Sequence, residues 1–248
     1  MTNPPGRFAC ALVLTFAFFT APVAAQTIAL DPAWRAAIGS VLLVGPEEPK
    51  NYSAVSASRR GVTSAAMIVS MELTLFSTML LTSEAEGDLR RALQDQDLRL
   101  GEDMQAAIEA ALETQGHSVD RHRVERRRTN GLMKNYFRVR TGADAILDVG
   151  IHSPVYTNFR KGRVAPAIVI DVRIVSGKGH TTLFEQSFLY QDAKPEGPGA
   201  ENFVWLPVDA KYVFPSFDAA AAKPALAAEG IRAAAPKIAA AIANVLKD

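Results

Sequence analysis

The chain has 248 residues, of which 48% are hydrophobic and 21% are charged, a composition typical of globular proteins. Its 27 lysine and arginine residues nearly balance its 26 aspartate and glutamate residues, so the net charge of +1 gives no general attraction to nucleic acid. The composition excludes a disordered or disulfide-rich protein, and the length suits one domain of ordinary size or at most two small ones.

The first 25 residues have the pattern of a secretory signal peptide. Arg7 provides the positive charge, residues 8–19 are apolar, and small residues follow up to Ala25. We expect cleavage before Gln26 and a periplasmic or secreted protein, because the apolar stretch is too short to span a bilayer. The only cysteine, Cys10, would be removed with this segment, so we expect a mature chain without disulfides or thiolate sites.

Residues 26–248 are expected to form a single domain. A buried strand is predicted at residues 40–44, and residues 46–64 follow it as a long loop. Residues 65–81 match both a strand, through their alternation of apolar and polar residues, and a helix, through their methionine spacing. The alternation favours the strand.

The middle of the chain alternates between helical and extended patterns. Helices are predicted at residues 84–94 and 100–116, where acidic residues begin the second helix and Gly116 follows it. A polar strand is predicted over residues 117–127. Residues 131–139 have the spacing of a short helix, with these side chains facing inward: Leu132, Met133, Tyr136 and Phe137.

Three further strands precede a C-terminal helix. The strands are predicted at residues 145–151, 167–175 and 181–190, and the last two form a hairpin through a glycine-rich turn. Residues 191–217 contain four prolines and are expected to form a long irregular loop, and an alanine-rich helix ends the chain with Pro236 weakening its first turns. The order predicts an α/β fold: a single mixed sheet with helices packed on its faces, a β-hairpin and a C-terminal helix.

Three pieces of this sequence resemble a group of bacterial envelope proteins. They are the helix that ends at Gly116, the run 142–147 that enters a strand, and the strand and turn at residues 172–179. The group comprises the curli-export outer-membrane lipoproteins, the penicillin-binding-protein activator lipoproteins and the N-terminal domain of the Tol-system propeller protein. The resemblance implies a non-catalytic accessory protein that acts through contacts with other proteins. These relatives are commonly lipid-anchored, whereas this sequence lacks the anchoring cysteine.

Asp148 and His152 are the best candidates for catalytic chemistry. On a strand they point to the same face, so the carboxylate could orient the imidazole toward a serine in a hydrolase-type site. The alternative is a histidine at the sheet end whose hydrogen bonds are satisfied by a neighbour. His117 and His122 project to opposite faces of a strand, so we expect no metal site, and the absence of a glycine-rich phosphate loop predicts no cofactor.

Basic residues are concentrated between residues 121 and 140, directly after an acidic stretch at residues 84–113. Such a block can bind an acidic protein face or another anionic surface, or it can pair with the acidic stretch within the fold or between copies of the chain. The predicted partner contacts in this block are Arg121, Arg123, Arg126, Arg127 and Arg128.

Aromatic residues interspersed with prolines mark the second candidate contact surface, within residues 191–217. They can form a rigid contact surface, or they can pack the loop onto its own core. The predicted contacts are Phe203, Trp205, Tyr212 and Phe214. Together these patterns favour an exported, non-catalytic envelope accessory or adaptor protein. The alternatives are a periplasmic hydrolase that uses Asp148 and His152, or a protein that binds an anionic ligand.

Overall fold

The computed structural model describes residues 29–56, 83–121, 131–152, 154–160, 162–196 and 200–247. These residues form one mixed sheet of eight strands together with six α-helices. The predicted α/β fold, with a single mixed sheet, a β-hairpin and a C-terminal helix, is confirmed. The predicted signal peptide and the ambiguous residues 65–81 lie outside the described residues.

The elements are numbered in chain order. The strands are β1 (Ser40–Val44), β2 (Ser53–Val55), β3 (Ser118–Arg121), β4 (Ala145–Ile151), β5 (Val155–Arg160), β6 (Arg163–Ser176), β7 (Thr182–Gln191) and β8 (Phe203–Pro207). The helices are α1 (Pro32–Ala37), α2 (Glu84–Gln94), α3 (Leu100–Thr114), α4 (Phe217–Ala221), α5 (Pro224–Arg232) and α6 (Ala234–Leu246). The predicted bounds of β1, β4 and α2 are confirmed, and α3 ends two residues before its predicted limit.

Strand β6 organises the sheet, because three strands pair with it. Strand β4 is antiparallel to its C-terminal part, β5 is antiparallel to its N-terminal part, and β7 runs antiparallel along the opposite side. Strand β1 lies between β4 and β3 and is parallel to both, and β2 is parallel to β5. Beyond β7, strand β8 is parallel to β7 and ends the sheet within the described part of the chain.

Helices α2 to α6 cover one face of the sheet. One apolar stripe of α3 is fully buried there, and it consists of Leu100, Met104, Ile108 and Leu112. Two tyrosines of the sheet also hold α5 in place: the Tyr156 hydroxyl donates to the Ala227 carbonyl at 2.8 Å, and the Tyr190 hydroxyl donates to the Gly230 carbonyl at 3.2 Å. These two hydrogen bonds fix helix α5 against the sheet.

An irregular segment, residues 131–143, covers part of the second face. Its buried side chains Tyr136 and Val139 pack against Ile146 of β4 and Val175 of β6. The predicted helix at residues 131–139 is therefore wrong. One acceptor on the sheet, Asp148, and one donor, Arg173, hydrogen-bond to the backbone of this segment, as described below.

Strands occur at positions where the composition predicted loops or no regular element. Strand β2 lies within the predicted loop 46–64, β8 lies within residues 191–217, and β5 has no counterpart among the predicted elements. The predicted C-terminal helix is divided into α5 and α6. Pro236 explains the division, because its ring has no N–H to donate and blocks the carbonyl four residues earlier, at Arg232, where α5 ends.

Candidate functional site

Asp148 is fully buried on the second face of the sheet and anchors residues 131–143. Its Oδ2 accepts a hydrogen bond from the Met133 backbone N–H at 2.6 Å and another from the Tyr136 hydroxyl at 2.8 Å. Burial and the neighbouring carboxylate raise the pKa of the Tyr136 phenol, which therefore stays protonated and donates. The role of Asp148 in this arrangement is to position a surface segment.

The carboxylate that orients His152 is Asp171 of β6. Its Oδ2 lies 2.7 Å from His152 Nε2. The expectation that Asp148 orients His152 is wrong, although both residues lie on the same face. Four residues along a strand separate their Cα atoms by about 13 Å, which is beyond hydrogen-bond reach.

Ser187 completes this small cluster from strand β7. Its hydroxyl donates to Asp171 Oδ1 at 2.6 Å. Burial opposes ionisation of Asp171, but the hydrogen bond and charge of His152, the hydrogen bond from Ser187 and the charge of Arg173 outweigh it, so the pKa of Asp171 is lowered. In a Ser-His-Asp site the imidazole lies between the serine and the carboxylate, whereas here the Asp171 carboxylate lies between His152 and Ser187. The geometry therefore favours a structural role for this cluster.

Arg173 joins the cluster to the irregular segment. Its guanidinium forms a two-point ion pair with Glu185, at 2.7 Å and 3.0 Å, and its Nη1 donates to the Met133 carbonyl at 3.1 Å. Gly150 of β4 allows the segment to approach the sheet, because a Cβ there would lie 3.0 Å from the Gly131 carbonyl carbon. Residues 131–143 are thus fixed at several points.

Phe137 projects from this fixed segment into solvent. Its side chain is 80% exposed, whereas Tyr136 before it is 5% exposed. The prediction that Phe137 faces inward is wrong, because consecutive residues of this irregular segment point in opposite directions. The ring makes an edge contact with His180 in the turn between β6 and β7, with 6.1 Å between the ring centroids.

The exposed Phe137 ring is accompanied by cations. Lys134, Arg138 and Arg140 are exposed, and none of them forms an ion pair within the part of the chain that the structure describes. Lys178 is exposed in the turn that also holds His180. The segment thus combines one large apolar side chain with positive charge. We refer to residues 134–140 as the Phe137 loop.

A second candidate surface is the free edge of β8. Within the described residues this strand pairs with β7 alone, so its other backbone edge has no strand beside it, and at its end the Lys237 ammonium donates to the Pro207 carbonyl at 2.7 Å. Its sequence, Phe203–Pro207, carries no charge, and Val204 is 39% exposed. Uncharged, apolar edges are the ones that add a further strand most readily.

A groove runs between this edge and helix α6. Its volume is about 330 Å³, and it opens to solvent. The lining is mainly apolar and consists of Phe184, Gln186, Phe188, Val204, Ala241, Asn244 and Val245. Because Val204 belongs to both features, the groove and the strand edge form one continuous surface.

The predicted arginine contacts are only partly described. Arg121, at the end of β3, forms an ion pair with Glu109 of α3, so this member of the basic block pairs with the acidic stretch within the fold. Arg123, Arg126, Arg127 and Arg128 lie outside the described residues. The pair at Arg121 supports the alternative in which the two charge blocks face each other.

The predicted aromatic contacts divide into two groups. Phe203 and Trp205 belong to β8 and are half-buried, and the Trp205 indole donates to the Gln191 carbonyl at 3.0 Å. Tyr212 and Phe214 are 3% and 5% exposed, which favours the alternative in which this part of the loop packs onto its own core. A β-bridge between Val164 and Phe214 draws this part of the chain into the core.

Among the described residues, no group of three or more histidine, cysteine, aspartate or glutamate side chains is arranged to hold a metal ion. None of the described helices has the length and apolar character needed to cross a bilayer. No protein-family model matches this sequence, and no curated protein is significantly similar to it.

Proposed function

We propose that this protein is an exported, non-catalytic accessory or adaptor protein of the cell envelope that binds a partner protein along the free edge of β8. One observation carries the proposal: β8 is an apolar, uncharged edge strand that continues into an apolar groove. A partner segment in extended conformation can add to such an edge through backbone hydrogen bonds, with side chains supplying specificity.

The geometry of β8 limits what the partner can be. The strand has five residues and ends at Pro207, which offers no N–H, so the added segment is about as short. Alternate residues of an added strand point to the same face, which directs every second side chain toward the groove. The apolar lining favours aliphatic or aromatic residues at those positions.

Two sequence features support the proposal. The resemblance to envelope accessory proteins implies a role in protein contacts, and the predicted signal peptide implies that the partner is met in the envelope. Arg123, Arg126, Arg127 and Arg128 remain predicted contacts with an acidic partner face. We therefore include them in the test as a separate surface.

Site-specific photocrosslinking in intact cells tests the proposal. A photoreactive residue at position 204 is expected to capture a discrete envelope protein, because this position borders the groove. The matched control places the same residue at position 223, an exposed lysine just before α5. Capture from both positions, or from neither, would contradict the proposal. A crosslink to a second copy of the chain would replace the adaptor with a homo-oligomer.

A parallel sample carries Arg126, Arg127 and Arg128 changed to serine. If the arginines form a second contact, capture at position 204 weakens in this variant without being abolished, since the edge of β8 is unaltered. Complete loss would identify the arginines as the principal contact surface and would contradict the assignment to β8. Mass spectrometry of the captured species identifies the partner in each sample.

A further inference from the structure

The Phe137 loop exposes an apolar ring that the fold holds in a fixed position. The two buried residues that flank the exposed part, Tyr136 and Val139, are 5% and 3% exposed, whereas Phe137 between them is 80% exposed. A single exposed apolar side chain is common on protein surfaces, so Phe137 indicates a contact surface only in combination with the basic residues near it in the sequence. The edge contact with His180 leaves most of the ring open to solvent.

Several contacts keep the loop rigid. Asp148 and Arg173 bind the segment at Met133 and Tyr136, as described above. Beyond the C-terminal end of the loop, the Gly177 N–H donates to the Asp144 carbonyl at 2.8 Å, and a Cβ at Gly177 would lie only 2.0 Å from the Ala143 oxygen. Because the loop is already ordered, binding through Phe137 costs little conformational entropy.

Three basic residues lie within three positions of Phe137 in the sequence. Lys134, Arg138 and Arg140 form no ion pair within the described residues, so their charges are available to an external anion. The acid next in sequence, Asp144, is occupied by the Ser40 hydroxyl at 2.7 Å and by two backbone N–H groups. The loop thus carries one exposed aromatic ring and three exposed basic side chains.

We propose that the Phe137 loop binds the surface of a bilayer that contains anionic phospholipid. Phe137 would enter the boundary between headgroups and acyl chains, while the basic side chains contact lipid phosphates. Aromatic and basic residues in this combination are characteristic of peripheral membrane contacts. This inference does not depend on the proposed role of β8, because the two surfaces share no residue.

The expected affinity is modest and reversible. Each basic side chain near an anionic surface strengthens binding about fivefold, and burial of one phenylalanine strengthens it about tenfold or more. Three basic side chains and one aromatic ring therefore support transient association with the bilayer. This association is much weaker than the anchoring that a membrane span provides. The electrostatic part weakens as the salt concentration rises.

Vesicle flotation of the purified protein tests the inference. The probes are vesicles of phosphatidylglycerol and phosphatidylcholine in equal amounts, and vesicles of phosphatidylcholine alone. We expect flotation with the anionic vesicles only. Phe137→Ser should weaken binding about tenfold or more, and Arg138→Ser and Arg140→Ser about fivefold each.

Two matched controls separate this site from general surface effects. Trp34→Ser removes another exposed aromatic side chain, and Lys223→Ser removes another exposed cation. Both should float like the unaltered protein, and circular dichroism should confirm that all variants remain folded. No flotation with anionic vesicles, equal flotation with neutral vesicles, or equal losses in the controls would each overturn the inference. Capture of an acidic protein by the loop in the absence of vesicle binding would also overturn it.

Discussion

Asp148 shows how a single buried carboxylate can determine a surface. It is fully buried in the sheet, and it accepts hydrogen bonds from Met133 and Tyr136, which fixes residues 131–143 on the second face. The exposed position of Phe137 follows from this anchoring, since Tyr136 is drawn inward beside it. The carboxylate of Asp148 therefore positions residues 131–143.

Removal of this carboxylate should destabilise the fold. Asp148→Ala leaves two donors without their acceptor, and we expect the free energy of unfolding to fall by about 3 kcal/mol. The control is Asp88→Ala, which removes a surface ion pair with Arg91 and should cost no more than about 0.5 kcal/mol. Urea denaturation measures both variants, and equal losses would show that Asp148 has no special anchoring role.

The ionisation of Asp171 should make the free energy of unfolding depend on pH in the acid range. Its pKa is lowered in the folded protein, so its carboxylate stabilises the fold at pH values above its unfolded pKa of about 3.9. This stabilisation is lost as the pH falls through the lower, folded value. We expect Asp171→Asn to be less stable than the unaltered protein at about pH 7, and the difference to shrink as the pH falls through the lowered pKa of Asp171 in the folded protein.

Chemical denaturation across this pH range checks the prediction. His152 and Arg173 face Asp171, so the buffer series should be measured at constant ionic strength. Asp120→Asn controls for the loss of one negative charge, because Asp120 is exposed on β3. A difference between Asp171→Asn and the unaltered protein that stays constant down to the lowest pH would contradict the assignment.

At the scale of elements, close contacts decide which glycines can be replaced. A Cβ at Gly230 of α5 would lie 2.8 Å from the Tyr156 hydroxyl and 3.0 Å from Tyr212 Cβ. The Tyr156 hydroxyl is held by its hydrogen bond to Ala227. Gly230→Ala should therefore lower the free energy of unfolding by about 2 kcal/mol, despite the better helix propensity of alanine.

The matched control is another helical glycine. A Cβ at Gly87 of α2 would have no neighbour within 4 Å. Gly87→Ala should raise the free energy of unfolding by about 0.5–1 kcal/mol, because alanine loses less backbone entropy in a helix. Thermal or urea denaturation of the two variants should thus show shifts of opposite sign. Shifts of the same sign would mean that propensity outweighs packing at Gly230, or that α2 contributes little to stability.

Elements with regular apolar spacing were predictable from the sequence. Helix α3 has a continuous buried stripe, and β4 is an unbroken apolar strand except for Asp148, so local pattern and tertiary burial agree. The prediction of a helix at residues 131–139 was wrong because the apolar spacing there matches that of a helix, whereas residues distant in the sequence hydrogen-bond to this segment. Such long-range acceptors leave no trace in local spacing.

The candidate site was predictable only in part. Phe203 and Trp205 were recognisable as candidate contacts, but the strand that carries them is short and lies in a proline-rich stretch. Tyr212 and Phe214 have a similar local sequence but are buried. Phe214 pairs with Val164, and this pairing depends on the topology of the sheet. Local composition cannot separate an aromatic residue that faces solvent from one that fills a core.

At the scale of the whole molecule, the two proposed surfaces lie on different parts of the sheet. Strand β8 pairs with the second half of β7, and the groove beside it is on the face covered by the helices. The Phe137 loop lies on the other face, next to the turn where β7 begins. A protein with this arrangement can hold a partner at β8 while the Phe137 loop rests on a membrane.

This separation predicts that the two surfaces can be disabled independently. Val204→Lys introduces a charge into the apolar groove and should abolish partner capture without changing vesicle binding. Phe137→Ser should reduce vesicle binding about tenfold or more and leave partner capture intact. The reciprocal comparison needs only the crosslinking and flotation measurements already described.

The most direct test of the adaptor role places a photoreactive residue at position 245 of α6, across the groove from Val204. Crosslinking in intact cells should capture the partner from this position in the unaltered protein and in Phe137→Ser. Capture should be lost in Val204→Lys, because apolar side chains of the partner would have to desolvate the introduced cation. If capture persists in Val204→Lys at the level of the unaltered protein, the groove beside β8 is not the partner site and the central proposal is wrong.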